Sequence, residues 1–282
     1  MKKNLGILIL VILAFTAYVN NTNLQKQNKQ ITKKEKVVEL LNSIETGDTK
    51  PVEYINQNKY IQHNLAVKDG LSGLGEVLSK LPKGSAKVEV LRTFEDGNYV
   101  FTHTKYNFFG PKVGFDIFRF ENGKIVEHWD NLEEISETTA SGRTQFDGDV
   151  QIIDKELTDS NKQLVSNFIN DVLFGKNPSK ITEYISTEKY LQHNPNVKDG
   201  LNGLSEALKS LAKAGMPIKY EKTYMILGEG NFVLTVSKGI FMNKASSFYD
   251  LFRIEDGKIV EHWDTIEEIP EKSTWQNNNG KF

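Results

Sequence analysis

The sequence predicts an α+β fold written twice along the chain, and three observations carry that prediction. Blocks of sequence recur at an offset of about 130 residues. Within each copy the apolar spacing changes once, from helical to alternating. Turn signals then punctuate the alternating half at short intervals. Helices first and an antiparallel meander afterwards give helices packed on one face of a curved sheet.

The repeat is explicit. Tyr60–Asn64 (YIQHN) returns as Tyr190–Asn194 (YLQHN), and Val67–Leu71 (VKDGL) as Val197–Leu201. Phe118–Asp130 (FRFENGKIVEHWD) returns as Phe252–Asp264 (FRIEDGKIVEHWD). A period this long marks a duplicated domain, because solenoid units run at about 20–50 residues. Two domains are expected, at 33–138 and 157–272. A Ser/Thr/Gly/Asp-rich linker at 139–156 joins them, and a tail follows at 273–282.

Each element has its own signal. Val37, Val38, Leu40, Leu41 and Ile44 keep helical spacing up to Gly47, a C-terminal stop. Pro51 suits the first turn of a short second helix through Tyr54 and Ile55. Leu71, Leu74, Val77, Leu78 and Leu81 form a third amphipathic helix, ended by Pro82. A strand around Val88–Leu91 leads to the turn Asp96–Asn98, and the next begins at Tyr99. A strand over Val113–Phe120 and one over Lys124–Trp129 flank Glu121–Gly123, a hairpin signal. The second copy repeats this order. Three helices against about four strands leave a cone-shaped pocket between them.

Composition narrows the function. The 282 residues carry 35 Lys+Arg against 37 Asp+Glu, a balance that argues against nucleic acid as a partner. Aromatic residues at 10% argue against a chain that never packs. With no cysteine, disulfides, thiolate metal sites and thiol nucleophiles are excluded. Lys2 and Lys3 precede an apolar run from Leu5 to Val19, the pattern of a secretory signal. Residues 1–20 are therefore read as a signal peptide or an uncleaved membrane anchor, the only expected membrane contact, and 21–32 as a polar tether. Export is expected, with the protein secreted, periplasmic or held at a membrane by its N-terminus.

The pairing of YIQHN or YLQHN with Asp-[Ile/Leu]-Phe-Arg-x-Glu-x-Gly-Lys-Ile-Val-Glu-His-Trp-Asp resembles the SnoaL-like branch of the nuclear-transport-factor-2-like superfamily. Each repeat resembles one whole domain of that kind. The resemblance implies a cup for a small apolar or carbonyl-containing molecule, with no cofactor, and acid–base chemistry of the polyketide-cyclase, aldol-condensation or isomerase type. The same fold also serves as a ligand-binding or scaffold module, so the fold alone does not choose. Such domains pair through the open face of the sheet. The resemblance therefore predicts an internal pseudo-dimer, which a linker of roughly 20 residues permits.

Strand alternation nominates the chemistry. Side chains two apart share a face, so Asp116 travels with Phe118 and Phe120, and His128 with Asp130. A carboxylate in an apolar wall is a base tuned towards neutral pH. Either Asp116 or Asp130 fills that role, with Asp250 as its counterpart in the second copy. His63 and His193 are candidate proton donors, and His128 with Asp130 a second dyad. Asn64 and Asn194 are candidate partners for an enolate oxygen. Trp129 and Trp263 are candidate substrate contacts, set against packing or interface roles. Asp116 and Asp250 could instead pair with Arg119 and Arg253, while Glu127 and Glu261 read as solvated. His103 aligns with Val236, and Tyr106 with Gly239. A pocket-facing His103 would make the first cup polar and assign catalysis to it. A metal site from His63, His103 and Asp116 lacks a recognised ligand spacing, and none is expected.

Overall fold

The computed structural model describes residues 31–81 and 84–282. The readings of 1–20 and of nearly all of 21–32 lie outside these residues, as does Pro82. Among the described residues no helix is long and apolar enough to cross a membrane.

The first helix, Lys33–Thr46, opens on a capping box. The Thr32 hydroxyl accepts from the Glu35 amide, and the Glu35 carboxylate accepts from the Thr32 amide. It ends at Gly47, whose φ of 72° lets the chain turn without a Cβ penalty. Its buried stripe is Val37, Leu40 and Leu41. The expected second helix is only a 3₁₀ turn, Lys50–Tyr54, because five residues stop before an α-helical ladder is established. In the second copy the matching piece is a 3₁₀ turn, Pro178–Lys180, running into one α-turn, Ile181–Tyr184. The third helix spans Gly70–Lys80, and its counterpart Gly200–Lys213. The remaining helix, Thr158–Phe168, matches the first one and continues as a π-turn over Ile169–Leu173.

Each sheet has five strands where about four were expected. In the first, β1 (Ile61–Gln62), β2 (Lys87–Asp96), β3 (Tyr99–Asn107), β4 (Pro111–Glu121) and β5 (Lys124–Glu134) lie in the order β1-β5-β4-β3-β2. In the second, β6 (Leu191–Gln192), β7 (Lys219–Glu229), β8 (Phe232–Phe241), β9 (Lys244–Glu255) and β10 (Lys258–Glu268) repeat that order. The additional strand is the two-residue β1 or β6, laid parallel beside the last strand, with Gln62 opposite His128 and Gln192 opposite His262. Two residues carry no periodicity, so it left no trace in the pattern. The β4–β5 hairpin turns at Asn122 and Gly123, both at positive φ, as its two-residue turn requires. A bulge beyond Arg119 shifts the register and brings Ile125 to the helix side, against the strict alternation expected there.

The two faces of the first sheet have different partners. Phe118, Phe120 and Val100 pack with Val37, Leu40 and Leu41 of the helix layer. On the other face Phe94, Phe101, Phe115, Ile117 and Trp129 share one buried cluster with Phe232, Leu234, Val236, Leu251 and Trp263 of the second repeat. At about 25 cal/mol per Å² of apolar surface, a cluster of this many fully buried aromatic and aliphatic side chains is a major source of stability.

Residues 139–156 are not a free linker. Arg92, buried on β2, donates to the carbonyls of Phe146, Asp147 and Asp149 and lies 4.4 Å over the Trp263 ring. At Gly148 an added Cβ would sit 2.3 Å from a Glu261 oxygen and 2.7 Å from the Trp263 ring. Glycine is what allows the backbone so close. The C-terminal tail is likewise packed, with Asn277 and Lys281 both buried.

Candidate active site

Between the helix layer and the first sheet lies a cavity of about 130 Å³. Leu40, Leu74, Val77 and Phe118 give it an apolar lining, and its polar wall is Tyr60, Gln62, Asn64, Tyr106, Asp116, His128 and Asp130. Asp116 on β4 and Asp130 on β5 are directly opposed cross-strand partners. Like charges so placed repel, and the surrounding groups manage that cost.

His128 Nε2 lies 3.2 Å from Asp116 Oδ1, and His128 Nδ1 lies 3.1 Å from Gln62 Oε1. The Gln62 oxygen also accepts the Asn64 amide at 2.8 Å, which identifies it as the carbonyl end. The ring nitrogen facing Gln62 is therefore the donor, so Nδ1 carries a proton and Nε2 faces Asp116. The second Asp116 oxygen accepts the Tyr106 hydroxyl at 2.6 Å. Burial, and then the neighbouring Asp116 charge, push the Tyr106 phenol well above its ordinary value, so it stays a donor. Asp130 Oδ2 accepts the Asn64 side-chain amide at 2.7 Å. Its Oδ1 is buried with no hydrogen-bond partner among the described residues, and Lys281 Nζ stands 4.0 Å away.

The second repeat rebuilds this network. His262 bridges Asp250 at 3.1 Å and Gln192 at 2.9 Å, and Asn194 holds Asp264 at 2.8 Å. Burial tends to lower the His262 pKa, but the hydrogen bond to Asp250 and the charges of Asp264 and Asp250 outweigh it and raise it. Burial raises Asp264. The alignment of Tyr106 with Gly239 suggested a lost group, yet the hydroxyl is still there. Tyr220 on β7 reaches Asp250 on β9 at 3.0 Å, across β8. In the first repeat Tyr106 pairs with Val88, and in the second Gly239 pairs with Tyr220. The tyrosine has crossed to the partner strand, and glycine vacates the space opposite it.

Five expected site residues lie elsewhere. His63 faces away from the cavity, bonded to Glu127 at 2.9 Å and to the Gly280 carbonyl at 2.8 Å, with its ring stacked on Trp129. His193 repeats this with Glu261, the Thr144 carbonyl and Trp263. Gln62 and Asn64 take the cavity face, so alternation turns His63 outward and removes it as a proton donor there. Trp129 and Trp263 belong to the cluster that spans both repeats, which favours their packing role over substrate contact. His103 is also on that face, 3.0 Å from Arg92 and stacked on Phe115. Burial, followed by the nearby Arg92 and His193, pushes it well below the ordinary histidine value. The His103/Val236 difference therefore gives no ground for assigning catalysis to the first cup. His63 and His103 do not meet Asp116, so that metal triad does not form.

The glutamates read as solvated are paired on the outer face. Arg119 Nε donates to Glu127 at 2.6 Å, and Arg253 Nε to Glu261 at 2.6 Å. These arginines are thus not partners of Asp116 and Asp250. Burial raises Glu261, but hydrogen bonds from His193 and Arg253 overcome it and hold the carboxyl below its usual range. Gln62 and Tyr106 are the site residues that residue chemistry missed, although Gln62 stands inside the repeated YIQHN block. Asp116, His128 and Asp130 bring one ligand-type atom each within 4.8 Å of one another, as do Asp250, His262 and Asp264.

No protein-family model and no curated protein matches the sequence. Solved structures similar to this chain include an NTF2-like protein of unknown function from Cytophaga hutchinsonii, at 19% identity and a TM-score of 0.33, covering 38% of this chain and 94% of that one. A protein from Kribbella flavida provisionally named a ketosteroid isomerase is 12% identical with a TM-score of 0.33, covering 41% and 83%. IdmH from Streptomyces antibioticus, provisionally named a polyketide cyclase, is 18% identical with a TM-score of 0.31, covering 38% and 91%. Each of these matches spans a stretch about the length of one repeat.

Proposed function

We propose that the cavity takes a small apolar carbonyl compound and moves a proton next to its carbonyl, the step common to aldol cyclisation and isomerisation. The observation that carries this reading is the Asp116–His128 pair set in an apolar cavity beside a second buried carboxylate. Both Asp116 oxygens are engaged, whereas Asp130 Oδ1 is not, so Asp130 is the base that takes the proton from carbon. The Tyr106 hydroxyl and the proton shared by His128 and Asp116 are the donors available to the developing enolate oxygen. Protonation at a different carbon then gives an isomer, and attack on a second carbonyl gives an aldol product.

In this reading the two repeats work as one pseudo-dimeric unit, exported by the N-terminal segment. The shared aromatic cluster supports the first point, and Lys2, Lys3 and the Leu5–Val19 run the second. Solvent-deuterium incorporation into 1-indanone, followed by NMR, tests the chemistry. The expected result is exchange well above buffer that Asp130→Asn reduces by about 10²–10⁴-fold. Binding of the ketone with no exchange would reduce the protein to a ligand-holding module.

A further inference from the structure

The segment that follows each repeat is bound to the other repeat, and the two segments match at three contact positions. The Ala140 amide donates to the Pro195 carbonyl, and the Gln276 amide to the Leu65 carbonyl. Arg143 reaches Asp199 at 3.0 Å, and Asn279 reaches Asp69 at 2.8 Å. The Thr144 carbonyl meets His193 Nδ1 at 2.7 Å, and the Gly280 carbonyl meets His63 Nδ1 at 2.8 Å. Gln145 and Lys281 come next, both buried. Residues 140–146 (ASGRTQF) and 276–282 (QNNNGKF) agree only at the final phenylalanine, so the sequence hid the correspondence.

The tail grips the segment that arms the first site. Asn277 donates to the carbonyls of Asn64 and Val67, at 2.8 and 2.9 Å. Asn279 donates to the carbonyl of Gln62 at 3.0 Å. Gln62 is what fixes the His128 tautomer, and Asn64 is what holds Asp130. Lys281, buried and 2.8 Å from Glu267, places its ammonium next to Asp130.

We infer that residues 276–281 are positioning residues for the first repeat's acid–base site, and that residues 140–146 do the same for the second, so that each site is completed by the segment following the other repeat. The functional meaning of this rests on the acid–base reading above, but the arrangement itself can be tested without turnover. Nitrogen-15 NMR of the imidazoles in the full chain reports the tautomers of His128 and His262 directly. In the unaltered protein Nδ1 of both rings is expected to carry a proton, held there by Gln62 and Gln192. Asn279→Ala, and the double change with Asn277→Ala, should mix the His128 tautomers and leave His262 fixed. Arg143→Ala should do the reverse. If the double variant does not fold, Asn279→Ala alone decides, since it removes only the two bonds made by the side-chain amide, to the Gln62 carbonyl and to Asp69. A His128 ring unchanged in Asn279→Ala, or equal disturbance of both rings by either strap, would overturn the inference. Absence of ketone exchange alongside the crossed tautomer pattern would remove the catalytic reading and leave the inference standing.

Discussion

Replacing Glu133 with glutamine should change how stability depends on pH, by an amount the structure sets. Glu133 leaves the end of β5 and accepts the Ile266 amide of β10 at 3.1 Å. Burial, then the charge of Asp264, push its carboxyl from an ordinary 4.5 up to about 8. The folded protein therefore keeps a proton that the unfolded chain gives up near pH 4.5. Between the two values the native state binds more protons, so stability falls as pH rises. The contribution is fully present below about pH 4.5 and is lost as pH passes through about 8. At about 1.4 kcal/mol per unit the ceiling is a few kcal/mol, and partial exposure of the side chain trims it to ~2 kcal/mol. Glutamine keeps the acceptor and cannot ionise. Urea unfolding of both proteins at pH 5, 7 and 9 checks this, because their difference cancels the other carboxyl groups. The variant should gain on the parent from pH 5 to about 8 and level off by pH 9. Parallel pH profiles would mean that Glu133 gives up its proton as readily in the fold as in the unfolded chain.

Two further predictions address the site and its opposite face. Tyr106→Gly should remove the hydroxyl from Asp116 and open a void that costs about 3–5 kcal/mol. Adding Val88→Tyr, which copies the arrangement of Tyr220 opposite Gly239, should restore ketone exchange to within about tenfold by returning the donor. Failure of that rescue in a folded double variant would count against the strand-swapped tyrosine. His103→Val should cost about 1–2 kcal/mol by leaving an Arg92 donor short of its buried acceptor. It should leave ketone exchange unchanged, and a large loss of exchange would place His103 back at the site.

The duplication, the four-strand meander and the Asn122–Gly123 hairpin were legible because repetition, alternation and turn chemistry are local signals. The shared face of Asp116 and Phe118 was legible for the same reason. His63 was misplaced because its orientation depends on β1, whose pairing with β5 is a tertiary event with no local pattern. The alternation that turns His103 away from Tyr106 was present in the sequence. Column-by-column alignment recorded Tyr106 as lost, because a hydroxyl supplied from a neighbouring strand keeps its place in space and changes it in sequence. The two straps stayed hidden because different side chains make the matched contacts, Arg143 in one and Asn279 in the other, so their sequences share almost nothing.

In the proposed chemistry the Asp116–His128 pair and Asp130 face an apolar ligand in the first repeat's cavity. A crystal structure with 2-naphthol, a planar phenol that stands in for an enolate, tests it most directly. The naphthol rings are expected against Leu40, Leu74 and Phe118, with the oxygen within hydrogen-bond distance of the Tyr106 hydroxyl or the Asp116–His128 pair. Naphthol seated against His63 and Trp129 on the opposite face, with that cavity unfilled, would contradict it.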